Sequence, residues 1–274
     1  MSTDATTSPR PRAAGGARDL SAVRHTRDVL FALTESDLRA RYGRGGWRLV
    51  KWLADPFALV GIYLLLVTFI LRRPGEAPGL SLACAVIPFQ LVMMTIVNGM
   101  GAVQLRGAII ANMAFERILI PVSAMLTEAV AFSASLVLLV VMMAVYGVAP
   151  TPALLWAPLV TAVTLVFAVA CGYVAVLMGV WFRDFRPFVI SFMRAIFFLA
   201  PGLVAINAIG GRAEALVKVN PLTGLFESYR SILLRGQSPA AWELAIPVGW
   251  AVLLLLVALP LYIREQSQFA KLIE

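Results

Sequence analysis

Side chains capable of covalent or acid–base chemistry are few in this sequence and widely scattered. His25 is the single histidine and lies in a polar N-terminal stretch, so neither a histidine triad nor a histidine metal centre has anything to build on. Cys84 and Cys171 each fall inside an apolar run, where cysteine ordinarily serves as a small buried hydrophobe. No G-x-S-x-G elbow occurs, and no G-x-x-x-x-G-K-S/T loop, so no phosphate cradle for ATP is expected. The turn Gly43-Arg44-Gly45-Gly46 is rich in glycine but lacks the lysine and hydroxyl of such a loop. Glu128 stands apart, because it lies in an apolar run where an ionised group is costly and functional by default. It could carry a proton or line a polar passage. The simpler expectation is a hydrogen bond to a neighbouring helix through Asn98 or Asn207, since a proton-coupled carrier ordinarily needs more than one such group. A membrane-embedded enzyme acting on lipid carriers would need clustered His, Asp or Glu, and none is seen. The expectation is therefore a chain that is not an enzyme by itself, with no catalytic, metal or cofactor-binding residues.

The elements that must position these groups are apolar. Of 274 residues, 60% are hydrophobic and 14% charged, with mean hydropathy +0.85, whereas a soluble domain is roughly half apolar and about a quarter charged. That excess calls for lipid as solvent. Six apolar runs lie near residues 53–71, 80–102, 118–146, 153–180, 188–208 and 243–263, each long enough to be read as a transmembrane helix. Net charge is +8, but ten of the 23 Lys and Arg residues precede Leu53. This is the positive-inside pattern of a cytoplasmic N-terminus, and it favours anionic lipid headgroups over nucleic acid. Six spans then put both termini in the cytoplasm. Pro88, Pro121, Pro158, Pro201 and Pro247 fall within the runs and predict kinks.

Four segments result. Residues 1–23 read as a disordered cytoplasmic tail without a cleavable signal. Residues 24–52 read as an amphipathic connecting segment. Within it, Thr34 and Asp37 have capping-box spacing, predicting a short helix from Glu35. Phe31, Leu38 and Tyr42 share one face of it, and Trp47 and Trp52 follow, which suits the membrane interface. Residues 53–263 form the membrane body, and 264–274 a cytoplasmic tail. The fold class expected is all-α integral membrane: six transmembrane helices, an N-terminal interfacial helix and a distinctive segment before the last span. In that segment Asn220-Pro221 signals a helix start. Leu222, Leu225, Phe226, Tyr229 and Leu233 then form one apolar face, fitting either a helix that dips into the outer leaflet or one lying flat on it.

The order of elements resembles the permease subunits of ABC type-2 exporters, in particular those that export lipid-linked polysaccharides such as O-antigen, teichoic acid and galactan. Four stretches carry the resemblance: Asp37-Leu38-Arg39-Ala40-Arg41-Tyr42 leading through Trp47 to Pro56; Asn112 to Pro121; Phe182-Arg183-Asp184; and Asn220-Pro221 with Tyr229-Arg230 and Gly236. The resemblance implies a homodimeric pore in a bacterial inner membrane, with two copies of a separate ATPase subunit beneath it that bind the ATP and Mg. It implies that Arg41, Tyr42, Arg106, Glu116 and Arg117 contact that ATPase. Arg183 and Asp184 would form a cytoplasmic gate pair or a simple interface anchor. Asn220, Pro221, Tyr229 and Arg230 would belong to an outer re-entrant segment. Arg44, Arg48 and Lys51, placed at the inner mouth, could attract the anionic head of a lipid-linked glycan substrate. An ABC permease for drugs or small lipids is the alternative.

Overall fold

A computed structural model describes residues 15–43, 47–70, 77–105, 119–203 and 212–265, and every regular element among them is helical, as expected. The first helix, α1, runs unbroken over Gly15–Tyr42, so the short helix predicted from Glu35 is corrected to a longer one. The reason is compositional: between Gly16 and Gly43 there is neither proline nor glycine, and Ala, Leu and Arg propagate a helix well. Thr34 is therefore mid-helix rather than a cap. It is buried, and its hydroxyl has no hydrogen-bond partner among the described residues. Gly43 ends the helix at φ +77° with its N–H on the Arg39 carbonyl, the left-handed stop that glycine permits. Leu38 packs on Val130 and Ala134, whereas Phe31 on the same face is 65% exposed. Among the described residues, Thr34 and Leu38 are the buried positions of this helix.

The bundle is built on α3 (Pro78–Leu105). Before it come α2 (Trp47–Leu65) and the π-helical turn Leu66–Ile70. After it come α4 (Leu119–Val145), a 3-10 turn Pro152–Trp156 and α5 (Ala157–Trp181). Then follow α6 (Arg186–Leu199), α7 (Arg212–Val219), α8 (Pro221–Leu233) and α9 (Ala241–Glu265). Four stretches are long and apolar enough to cross a membrane: α3, α4, α5 with its preceding turn, and α9. At 1.5 Å per residue, α3 and α4 are each about 40 Å long, more than the roughly 30 Å of hydrocarbon. The run near 53–71 holds a shorter apolar helix, Phe57–Phe69, and the run near 188–208 overlaps the 14-residue α6.

Packing fixes the relative directions. Asn98 of α3 meets Glu128 of α4, while Gly79 meets Tyr146, so these helices are antiparallel. Thr95, Gly99 and Met100 of α3 meet Gly172 and Gly179 of α5, so α3 and α5 run parallel. This seam depends on small residues that let backbones approach in an apolar solvent. A Cβ on Gly179 would lie 2.0 Å from the Met100 carbonyl oxygen. An aromatic cluster closes the opposite end: Phe197 of α6 packs on Tyr63, Phe89 and Phe226 at centroid distances of 5.4, 4.6 and 5.7 Å. The prolines divide into two kinds. Pro88 and Pro247 lie inside helices, but Pro121 and Pro158 stand in first turns and Pro201 just past the end of α6. At those three positions proline sets an end rather than a kink, because the first turn of a helix has no N–H to lose.

Candidate functional site

The segment before the last helix is where sequence and geometry converge. Asn220 caps α8, its side-chain oxygen accepting from the Leu222 N–H at 3.0 Å, and Pro221 supplies the preset first residue. The chain leaves α8 through Gly236, whose φ of +63° and contact with Thr151 admit no side chain without strain. Between these ends every residue from Leu222 to Leu233 is buried. The Tyr229 hydroxyl reaches Thr164 of α5 at 3.3 Å. Thr164 lies seven residues into α5, so α8 descends about 10 Å below the start of that helix. A Cβ on Gly224 would sit 2.7 Å from the Glu243 carbonyl, which shows how closely α8 lies on α9.

The apolar face of Leu222, Leu225, Phe226, Tyr229 and Leu233 is buried, and the polar face is buried as well. It can be buried because its charges are paired. Glu227 accepts from Arg230 Nη1 at 2.9 Å and from Arg235 Nη1 at 2.8 Å. Arg230, 1% exposed, also donates to the carbonyls of Ser81, Pro201 and Gly202 at 3.3, 3.1 and 3.1 Å. Four of its five N–H donors are thus committed, which is what burial of a guanidinium demands. Arg235 donates to Ser231 Oγ at 2.6 Å and lies 3.5 Å from Glu243. Ser231 and the Ala240 N–H also bond to the Glu243 carboxylate. One network therefore ties α8 to the start of α3, the bend after α6 and the start of α9. Of the expected residues of the segment, Arg230 belongs to this network, Asn220 and Pro221 set the start of α8, and Tyr229 bonds to Thr164 outside it. Glu227 and Glu243 were not anticipated. The signal available was the i, i+3 spacing of Glu227 and Arg230 on the predicted helix.

At the other end of the bundle, Glu128 is buried and accepts from Asn98 Nδ2 at 2.5 Å, the simpler of the two expectations for it. Nearby, Thr127 donates to Asp37 of α1 at 3.4 Å. The Arg183–Phe185 turn joins α5 to α6, with Asp184 exposed. Lys51 is exposed on α2. Arg41 and Tyr42 close α1, and Arg48 stands in the first turn of α2. The side chains of Arg41, Tyr42, Arg48 and Arg183, and all of Arg44, Arg106, Glu116, Arg117 and Asn207, lie outside the described residues.

No family model matches the chain. Individual relatives do. The chain is 26% identical over 248 residues to an O-antigen export system permease protein of Myxococcus xanthus, covering 89% of this chain and 95% of that relative. It is 23% identical over 247 residues to a protein of the same description from Klebsiella pneumoniae, covering 90% and 95%. The resemblance read from the four sequence stretches is thereby borne out over nearly the whole chain.

Proposed function

We propose that this chain is the membrane-spanning permease of an ATP-driven exporter that moves lipid-linked polysaccharide or glycolipid from the cytoplasmic side across a bacterial inner membrane. The observation that carries the reading is the end-to-end match to O-antigen export permeases, which covers 95% of their length. The four long apolar helices and the missing phosphate loop fit it. The chain is not an enzyme by itself; ATP and Mg belong to a separate ATPase subunit, two copies of which serve a homodimer of this chain.

In this reading α2 and α6, extended by neighbouring residues, complete six spans, and both termini are cytoplasmic. The α8 helix is the outer re-entrant segment, and its pre-paired charges are what allow it to enter the membrane at low cost. At the inner side, Arg41, Tyr42, Arg106, Glu116 and Arg117 meet the ATPase. Motion of α1 passes to α4 through Asp37–Thr127 and Leu38, beside the Glu128–Asn98 bond. Arg183 and Asp184 guard the inner boundary, and Arg44, Arg48 and Lys51 attract the anionic head of the lipid carrier. The test is co-purification with candidate ATPase subunits and an ATPase assay with lipid-linked glycans. Stable association and glycan-stimulated hydrolysis are expected. A purified complex stimulated by small drugs but by no glycan would move the reading to the alternative cargo.

A further inference from the structure

The buried network opens on one side into a polar cup of about 300 Å³ between α7, α8 and the start of α9. Its character differs from that of an ion site. Every charge on its wall is already matched: Glu214 by Lys218 at 2.7 Å, Glu227 by Arg230 and Arg235, and Glu243 by Arg235, Ser231 and the Ala240 N–H. An anion would meet three carboxylates and a cation two basic groups, so neither sign is favoured. What remains on offer is hydrogen bonding. Gln237 and Ser238 are exposed at the rim, with no side-chain hydrogen bond among the described residues. The Arg235 side chain is 27% exposed, and its guanidinium is fixed by its bonds to Glu227 and Ser231, so its remaining donor capacity is preorganised. One wall is the indole of Trp242, held by the Lys218 ammonium 5.1 Å from its ring centre. Fixed polar groups beside an aromatic wall suit a ligand with hydroxyls at its edge and C–H groups on its face. At about 300 Å³ the cup has room for one sugar ring.

We infer that this cup binds a single neutral pyranose unit of the exported glycan as it leaves the outer mouth. The inference rests on the proposed export function, which makes this end of the bundle the outer one. It goes further in assigning a site to Gln237, Ser238, Arg235 and Trp242.

The test uses Ser238→Cys in a full chain carrying Cys84→Ala and Cys171→Ala, co-expressed with its ATPase. Spheroplasts are labelled with a membrane-impermeant maleimide, with or without methyl glucoside, methyl mannoside, N-acetylglucosamine or rhamnose; glucuronate, phosphate and spermidine serve as charged probes. A neutral sugar at twice its Kd should slow labelling about threefold, and Gln237→Leu or Trp242→Leu should each remove that protection. Gln237 is exposed, so its variant keeps the test valid should the Trp242 variant fold poorly. Labelling that no neutral sugar slows would overturn the inference and leave the export reading standing. Protection by phosphate or glucuronate alone would overturn the neutral class. A thiol that the maleimide cannot reach from outside in the Ser238→Cys variant would overturn both the inference and the outward orientation.

Discussion

Removing the Arg230 guanidinium gives the sharpest measure of what holds α8 inside the bundle. Arg230→Met keeps most of the stem but deletes the 2.9 Å ion pair with Glu227 and the donors to three carbonyls. Breaking a buried pair costs about 3–5 kcal/mol. Glu227 retains Arg235 at 2.8 Å, which pulls the cost down, while orphaned carbonyls at about 1–3 kcal/mol each pull it up. We expect about 4 kcal/mol. Glu227→Gln should cost a similar amount, because it leaves two guanidinium groups short of counter-charge. The double variant should cost about 2 kcal/mol less than the two singles together, since neither member is then left without the other. That coupling is roughly thirtyfold in the unfolding equilibrium. The assay is reversible unfolding in mixed detergent micelles, followed by tryptophan fluorescence. Additivity within about 0.5 kcal/mol would refute the pairing. If Arg230→Met alone were neutral, α8 would lie on the surface rather than in the bundle.

Four further outcomes are expected. Gly179→Ala, whose new methyl would meet the Met100 carbonyl, should destabilise the α3–α5 seam by about 1–3 kcal/mol. Gly249→Ala, with open space around it, should be neutral in the same unfolding assay. Glu128→Gln can keep a hydrogen bond to Asn98 and should preserve export, whereas Glu128→Leu should cost about 1–3 kcal/mol in detergent stability; loss of export in a stable Gln variant would instead assign Glu128 a proton. Replacing Glu116 and Arg117 by Ala should lower stimulation of the partner ATPase while leaving membrane insertion intact; unchanged stimulation would contradict the assigned contact.

Much of the helical plan was legible because lipid leaves little choice. Apolar runs such as 80–102 and 153–180 must be helices, and their lengths follow from the membrane. The Asn220-Pro221 start was readable for a different reason: cap chemistry is a local property. What was not legible depends on partners distant in sequence. Glu227 carries no local signal that its face of the helix is buried. Only the arrival of the Ser81, Pro201 and Gly202 carbonyls around Arg230 makes that face buriable. The extent of α1 was missed for the opposite reason. Thr34 and Asp37 have the spacing of a cap, but nothing in the residues just before Thr34 stops a helix, so the local signal was overridden by continuous propensity. The Glu128–Asn98 bond was within reach because an intramembrane carboxylate must find a donor and few were available.

The central claim is export, and deletion of this chain in its own cell tests it most directly. Cells lacking it, with the ATPase subunit and the glycan-synthesising enzymes intact, should lose surface polysaccharide while full-length lipid-linked polymer accumulates on the cytoplasmic face of the inner membrane. Restoring the chain should return the polymer to the surface. Unchanged surface polysaccharide in the deletion, or its loss with no polymer accumulating inside, would contradict the account.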